Sequence, residues 1–263
     1  MTNKIIYFCL YIFTFIFFTP FKPIKALTKE KRYQHITKFT VAVDCIVFGF
    51  DGTRLKILLV KRGLEPEKGK WSLMGGFVND NESTDTAANR ILKSLTGLEG
   101  IYLEQYHTFS SPDRDPVQRT ISVAYFALID INKYKESINT DFEAQWFNIK
   151  EFPNLIFDHN DMVHLAQKKL QYKAASHTIL FELLPEKFTL PLLQSLFEDV
   201  FDTSFDKGNF SRKMLSTKLL IKQKEKDKSN SKKGAFYYKL DKKHYQENLH
   251  KILKLIPNPN QLL

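Results

Sequence analysis

Two stretches of this chain hold the side chains best suited to chemistry. In residues 76–98, GFVNDNESTDTAANRILKSLTGL, a carboxylate at Glu82 and a guanidinium at Arg90 stand between Gly76 and Gly97. That pair reads as a structural ion pair. One carboxylate does not hold a hard divalent cation, which wants several oxygen ligands. In residues 206–215, DKGNFSRKML, Asn209 and Arg212 carry planar groups that make bidentate contacts to adenine and guanine edges. Lys207, Ser211 and Lys213 carry groups that more often hold phosphates. Downstream, residues 218–243 contain ten lysines and three acids, with Lys228, Lys232 and Lys233 in the most polar part. A solvated helix and an ordinary Lys-rich surface account for the same residues when charge alone is considered.

The charge distribution separates these stretches. The 263-residue chain carries a net charge of +10. Residues 39–173 hold 16 basic and 18 acidic side chains, and residues 174–263 hold 16 and 10. A near-neutral middle followed by a basic third implies different partners, and the basic third points to a polyanion, most often nucleic acid. Cys9 and Cys45 have neither a CxxC spacing nor a nearby His, which argues against a zinc or redox pair. No cofactor is expected.

The elements that position these residues follow from periodicity. FTVAVDCIVFGF, starting at Phe39, is a β-branched apolar strand interrupted by Asp44 and closed by Asp51-Gly52. LKILLVKR (55–62) pairs with it as an antiparallel hairpin. Residues 84–95 form a helix: Ala87, Ala88, Ile91, Leu92 and Leu95 repeat at three and four, Asp80 or Ser83 caps the start, and Gly97 ends it. Strands are expected at 101–109, 119–129 and 144–149, and a helix at 158–173. This is an α+β sandwich. From Ala174 the character changes: a short helix before Pro185, a helix capped by Thr189, a four-residue turn, a helix capped by Asp206, and a hairpin. In the last helix Phe210, Met214 and Leu215 are assigned to the core, and residues 224–233 to a loop tip too polar to pack. Helix, helix, turn, helix and hairpin is the order of a winged helix-turn-helix.

The segment 76–98 resembles a Nudix box, in which a glycine, a glutamate, an Arg-Glu and a Glu-Glu pair recur at fixed spacing. Gly76, Glu82, Arg90, Leu92, Gly97 and Leu98 fall on their marks. The three acidic positions after Arg90 are Ile91, Ser94 and Leu95. The family's carboxylates hold Mg²⁺ or Mn²⁺ against a diphosphate, so the resemblance implies a scaffold that keeps its structural residues and has lost three metal ligands. Together with FTVAVDCIVFGFDG, LKILLVKR, KWSLMGGFV and SSPDRDPVQRTISVAYFAL, and with the Asn-Phe-x-Arg-Lys run at 209–213, the chain is similar to the NrtR-type transcriptional regulators over roughly residues 38–245. That implies a Nudix α/β/α sandwich, residues 38–173, followed by a winged helix domain, residues 174–245, and a tail, residues 246–263.

The resemblance further implies a homodimer on double-stranded DNA, responsive to a small-molecule effector: ADP-ribose or a related nucleotide, or a pentose such as arabinose. The effector pocket is expected at the sheet face and the loop 110–118, with Phe109, Arg114 and Asp115 foremost and Arg62 and Trp71 behind them. Arg114-Asp115 reads equally as a surface turn held by its own ion pair. The alternative function is an active hydrolase that draws on Mg²⁺ through Asp80, Asp85 or Glu99. Residues 1–37 contain an apolar run at 5–18 with basic flanks. They read as an extension dispensable to the fold, then as a membrane anchor, then as an export signal; DNA binding places the protein in the cytoplasm.

Overall fold

The computed structural model describes residues 36–134, 138, 142–229 and 232–242. The apolar run at 5–18 and the tail 246–263 lie outside them. Strand β1 (Thr40–Phe50) is the centre of the first sheet. Its residues alternate between two cores, as the pleat requires. Val43, Cys45 and Val47 enter one core, and Ile46, Phe48 and Phe50 enter the other. Asp44 therefore lies on the second face, with Ile46 and Phe48. Burial on both faces explains why β1 is apolar throughout except there.

Around β1 the sheet runs β3-β2-β1-β6-β5, where β2 is Leu55–Lys61, β3 Trp71–Ser72, β5 Glu104–Phe109 and β6 Thr120–Asp130. β1 pairs antiparallel with β2 and parallel with β6. β4 (Met74–Phe77) also pairs with β1, and β7 (Gln145–Asn148) with β2. Helix α1 (Thr84–Thr96) covers one face with Ala87, Ala88, Ile91 and Leu92. Ser83 caps it, its hydroxyl accepting from Thr86 N, and Gly97 ends it in the left-handed conformation at φ 76°. After the short α2 (Ile131–Tyr134), helix α3 (His159–Ser176) covers the other face through Met162, Val163, Ala166 and Leu170. The Nudix-type α/β/α sandwich is thus formed. α3 runs three residues past the boundary drawn at 173.

A five-residue 3₁₀ turn (Ile179–Leu183) takes the place of the short helix read in HTILFELL. Then come β8 (Phe188–Thr189), α4 (Leu190–Phe201), α5 (Lys207–Ser216), β9 (Leu220–Asp227) and β10 (Ala235–Leu240), with sheet order β8-β10-β9. Thr189 caps α4 and Asp206 caps α5. This is the winged helix. Its core is continuous with the α3 side of the sandwich, since Leu193, Phe197, Phe210 and Met214 join Phe48 and Met162 in one cluster. No described helix is long and apolar enough to cross a membrane.

Two readings of this half are corrected. Leu215 is 43% exposed, because the buried stripe of α5 runs Phe210, Met214, Thr217, at four and three, and leaves Leu215 on its flank. The polar tip is also shorter than 224–233. β9 continues to Asp227 because Phe236 on β10 is covered by the ammonium groups of Lys222 and Lys226, 3.7 and 4.3 Å from the ring centroid. Lysines that look unpackable in sequence are held by an aromatic face.

Candidate effector cavity and DNA-reading surface

A cavity of about 390 Å³ opens beside the box, between the end of β2, the glycine pair of β4 and the start of α3. Arg62, Arg114 and Asp115 line it, as does Gly76. Trp71 and Phe109 do not. Ser72 faces the cavity, so its strand neighbour Trp71 faces away, packing edge-on against Phe147 at 4.8 Å beneath Lys61 Nζ. Phe109 turns to Tyr106 and His107.

The floor is a buried polar network built on Asp44. Ser122 Oγ donates to Asp44 Oδ2 at 2.5 Å. Arg114 Nη2 lies 3.6 Å from Asp44 Oδ2 and 2.8 Å from Asp158 Oδ1, and Arg114 Nε donates to Asp158 Oδ2 at 2.9 Å. His159 Nε2 lies 3.6 Å from Asp44 Oδ1, while its Nδ1 accepts from Leu73 N at 3.2 Å. That backbone bond requires an unprotonated Nδ1. Burial pushes the His159 pKa down, against the attraction of Asp44, so the ring is neutral. Arg114 is therefore no surface turn paired with Asp115. Its guanidinium is buried between two carboxylates, and Asp115 instead accepts from Val117 N at 2.9 Å and Thr120 Oγ1 at 3.2 Å. Gly75 follows from the same floor: a Cβ there would lie 2.2 Å from Asp44 Oδ1.

Arg62 sits on the wall. Its Nε donates to Leu64 O at 3.0 Å and Pro66 O at 2.7 Å, and its guanidinium lies 5.0 Å from the Phe157 ring. The arm is fixed by carbonyls and an aromatic face, so less order has to be imposed when it meets an anion or a planar group.

The box itself keeps its structural pairing. Arg90 Nε and Nη2 donate to the two oxygens of Glu82 at 2.9 and 2.5 Å, and Nη2 also reaches Phe77 O at 3.0 Å. Arg90 and the Asn79 backbone N–H hold the Glu82 carboxyl at about 2. The three altered positions are occupied differently. Ile91 is buried against Gly76, where an added Cβ would meet Ile91 Cδ1 at 2.7 Å. Leu95 lines the cavity, and Ser94 Oγ turns back to Ile91 O at 3.0 Å. Among the described residues no three His, Cys, Asp or Glu side chains are grouped to hold a metal ion. The carboxylates considered for that role are dispersed: Asp85 accepts from Tyr125 Oη at 2.5 Å, Glu99 pairs with Lys93 at 2.9 Å, and Asp80 lies on the surface.

On the winged helix, Lys207, Asn209, Arg212 and Lys213 are exposed on α5 and Ser211 is half-buried. Arg212 Nη2 donates to Asn209 Oδ1, which joins the two planar groups on one face. Lys228, Lys232 and Lys233 are exposed around the β9–β10 turn, where Gly234 adopts φ 66° and Ser229 closes on Asp227. The arrangement offers planar amide and guanidinium groups on a helix and point charges on a wing, the group types suited to base edges and to phosphates.

Sequence reasoning missed Asp44 and His159 as cavity residues, and Asp158 as the partner that holds Arg114 there. Asp44 announced itself as the one charge in an apolar strand. Nothing local marks the other two.

The fold and the site together define a class: a Nudix-type pocket domain with three box positions altered to Ile91, Ser94 and Leu95, carrying a DNA-reading winged helix. The NUDIX domain model matches residues 38–167, and the NrtR DNA-binding winged helix domain model matches residues 180–240. The chain is 30% identical over 218 residues to the ADPR responsive transcriptional repressor NtrR of Acinetobacter baylyi, covering 81% of this chain and 87% of that protein. It is 35% identical over 133 residues to an ADP-ribose pyrophosphatase of Methanocaldococcus jannaschii, covering 51% of this chain and 76% of that one. The crystal structure of Shewanella oneidensis NrtR complexed with a 27mer DNA aligns with a TM-score of 0.67 at 29% identity, over 76% of this chain and 93% of that one. The chain belongs to the NrtR family of Nudix-related, DNA-binding transcriptional regulators.

Proposed function

We propose that the chain is a repressor whose grip on DNA is set by a nucleotide-type effector, ADP-ribose or a close relative, held in the Nudix cavity. One observation carries this reading. The cavity persists with a fixed guanidinium on its wall, while two of the three former acid positions have become apolar packing at its edge. Its volume of about 390 Å³ falls within the range of small-molecule sites, roughly 300–1,000 Å³. Arg62 suits a phosphate, and the floor of Asp44 and neutral His159 suits sugar hydroxyls. A ligand that joins a ribose to a diphosphate uses both. The name of the Acinetobacter relative, an ADPR responsive repressor, supports the same effector.

A free pentose such as arabinose is the second reading, favoured by the hydroxyl-binding floor alone. In either case a homodimer on paired half-sites, in the cytoplasm where the DNA lies, gives an effector the means to change how two winged helices fit the duplex.

The test is a DNA-binding titration with and without ADP-ribose, L-arabinose and Mg²⁺, beside calorimetric titration of each ligand alone. ADP-ribose is expected to bind with and without Mg²⁺ and to weaken DNA binding. Neither ligand shifting DNA affinity, or robust Mg²⁺-dependent turnover of ADP-ribose, would overturn the proposal.

A further inference from the structure

Two rigid elements leave the cavity and end on adjacent residues of α4. The first is β2. Its cavity end is Lys61, followed by Arg62. Its far end is Leu55, whose backbone N–H donates to the Asp199 carboxylate of α4. Ile149 N takes the carbonyl of Leu55 at 3.1 Å, so a helix carboxylate holds the N–H on that edge of β2. Arg54 Nη1 donates to Asp199 Oδ1 at 3.2 Å, and Lys150 Nζ, which donates to Asp202, lies 3.8 Å from the same oxygen, so one backbone N–H and two cations of the sandwich converge on one buried acid of the winged helix. The second element is α3. His159 at its start lines the cavity, the preceding Asp158 holds Arg114 there, and Gln171 Nε2, further along, donates to Val200 O at 2.9 Å. Each strut spans roughly 20 Å at the rise of a strand or a helix.

From residues 199–200 the connection to the DNA-reading helix is stiff. Glu198 Oε1 accepts from Phe205 N and from Gln194 Nε2, both at 2.9 Å, and Gln194 Nε2 also reaches Phe205 O at 2.9 Å. The turn between α4 and α5 is thereby bound to α4. Phe197 of α4 packs on Phe210 of α5 at 5.7 Å. The two helices are thus packed as one body.

We infer that the Asp199–Val200 step is the receiver through which the cavity sets the DNA-reading helix, with Asp199 and Gln171 as the positioning residues. This rests on the effector reading above. An effector that bridges the Arg62 wall and His159 changes the spacing of the two struts at the cavity. Because they end side by side on α4, a change at one end becomes a rotation of α4 and α5 at the other. Coupling of this kind needs one element whose position both sites bias, and α4 with α5 is that element in this inference.

The experiment uses the full chain, ADP-ribose, and a duplex enriched by the wild-type protein from a random pool. It measures DNA affinity without and with saturating ADP-ribose, and ADP-ribose affinity without DNA. Asp199→Asn removes the charge that gathers the donors. Gln171→Met removes one hydrogen bond at the edge of the core, and is the variant to rely on if the first does not fold. Coupled proteins show an affinity ratio on the order of 5–150, and in each folded variant it is expected to fall below about 3 while both separate affinities stay within about threefold. Simple packing residues would lower stability and leave the ratio alone. A wild-type ratio above one that survives in every folded variant overturns the inference and spares the effector reading; a wild-type ratio of one overturns both.

Discussion

Replacing Arg114 by Met removes a buried cation from between two carboxylates and leaves a side chain of similar length. The side chains of Arg114, Asp44 and Asp158 are 4%, 6% and 19% exposed. Breaking a buried ion pair from one side costs about 3–5 kcal/mol, because the remaining charge is left without a partner in a poor solvent. Asp158 has some access to water and Asp44 keeps the Ser122 hydroxyl, which places the loss near the lower end, about 3 kcal/mol. For a folded unit of this size each kcal/mol moves the melting temperature by about 2–4 °C, so a fall of about 6–12 °C is expected by scanning calorimetry. Adding Asp44→Asn to Arg114→Met removes the stranded charge and should restore part of the loss. A single variant melting within about 2 °C of wild type, or a double variant less stable than the single, would refute the argument that Arg114 neutralises the cavity floor.

Four further outcomes rest on other contacts. Changing Lys228, Lys232 and Lys233 to Ala should weaken specific and random duplexes alike and flatten the salt dependence of log K by up to about 2.7, whereas Arg212→Ala should cost about 1–3 kcal/mol of discrimination at one base position; unchanged binding to both duplex types would remove the wing assignment. Glu82, held at about 2 against an ordinary 4.5, contributes stability that is complete above 4.5 and fades as the pH falls toward 2. Glu82→Gln should therefore lower the melting temperature at neutral pH and flatten the profile across that window, and superimposable profiles would count against it. Asp206→Ala deletes the cap that accepts from Asn209 N at 2.8 Å. It should cost about 1 kcal/mol and erode specific DNA binding before nonspecific binding, which competition with random duplex would show.

Local patterns made most of the architecture readable. The bounds of α1 were set by a capping serine, an apolar stripe and a left-handed glycine, all within a span of fifteen residues. Thr189 and Asp206 likewise marked the helices of the winged half. The cavity was harder because its floor is assembled across the chain. Asp44 was visible as an interruption in an apolar strand, but its partners Ser122, Arg114 and His159 stand 78, 70 and 115 positions away by their numbers, and nothing near any of them names the others. Trp71 was misplaced for a related reason: strand alternation fixes which neighbours share a face, and only the structure shows which face meets the cavity. Lys222 and Lys226 extended β9 beyond its expected end because Phe236 lies across the hairpin from them. Those are facts of pairing, and composition is silent on pairing.

The contact between Ile91 and Gly76 bears on how this lineage can change. Ile91 stands where a catalytic scaffold would have an acid, yet it is now part of the apolar core on the α1 side, pressed against a glycine with no room to spare. Putting a carboxylate back there would bury a charge in that core before any metal had arrived to compensate it. At this position a carboxylate is thus a loss until a cation is there to compensate it.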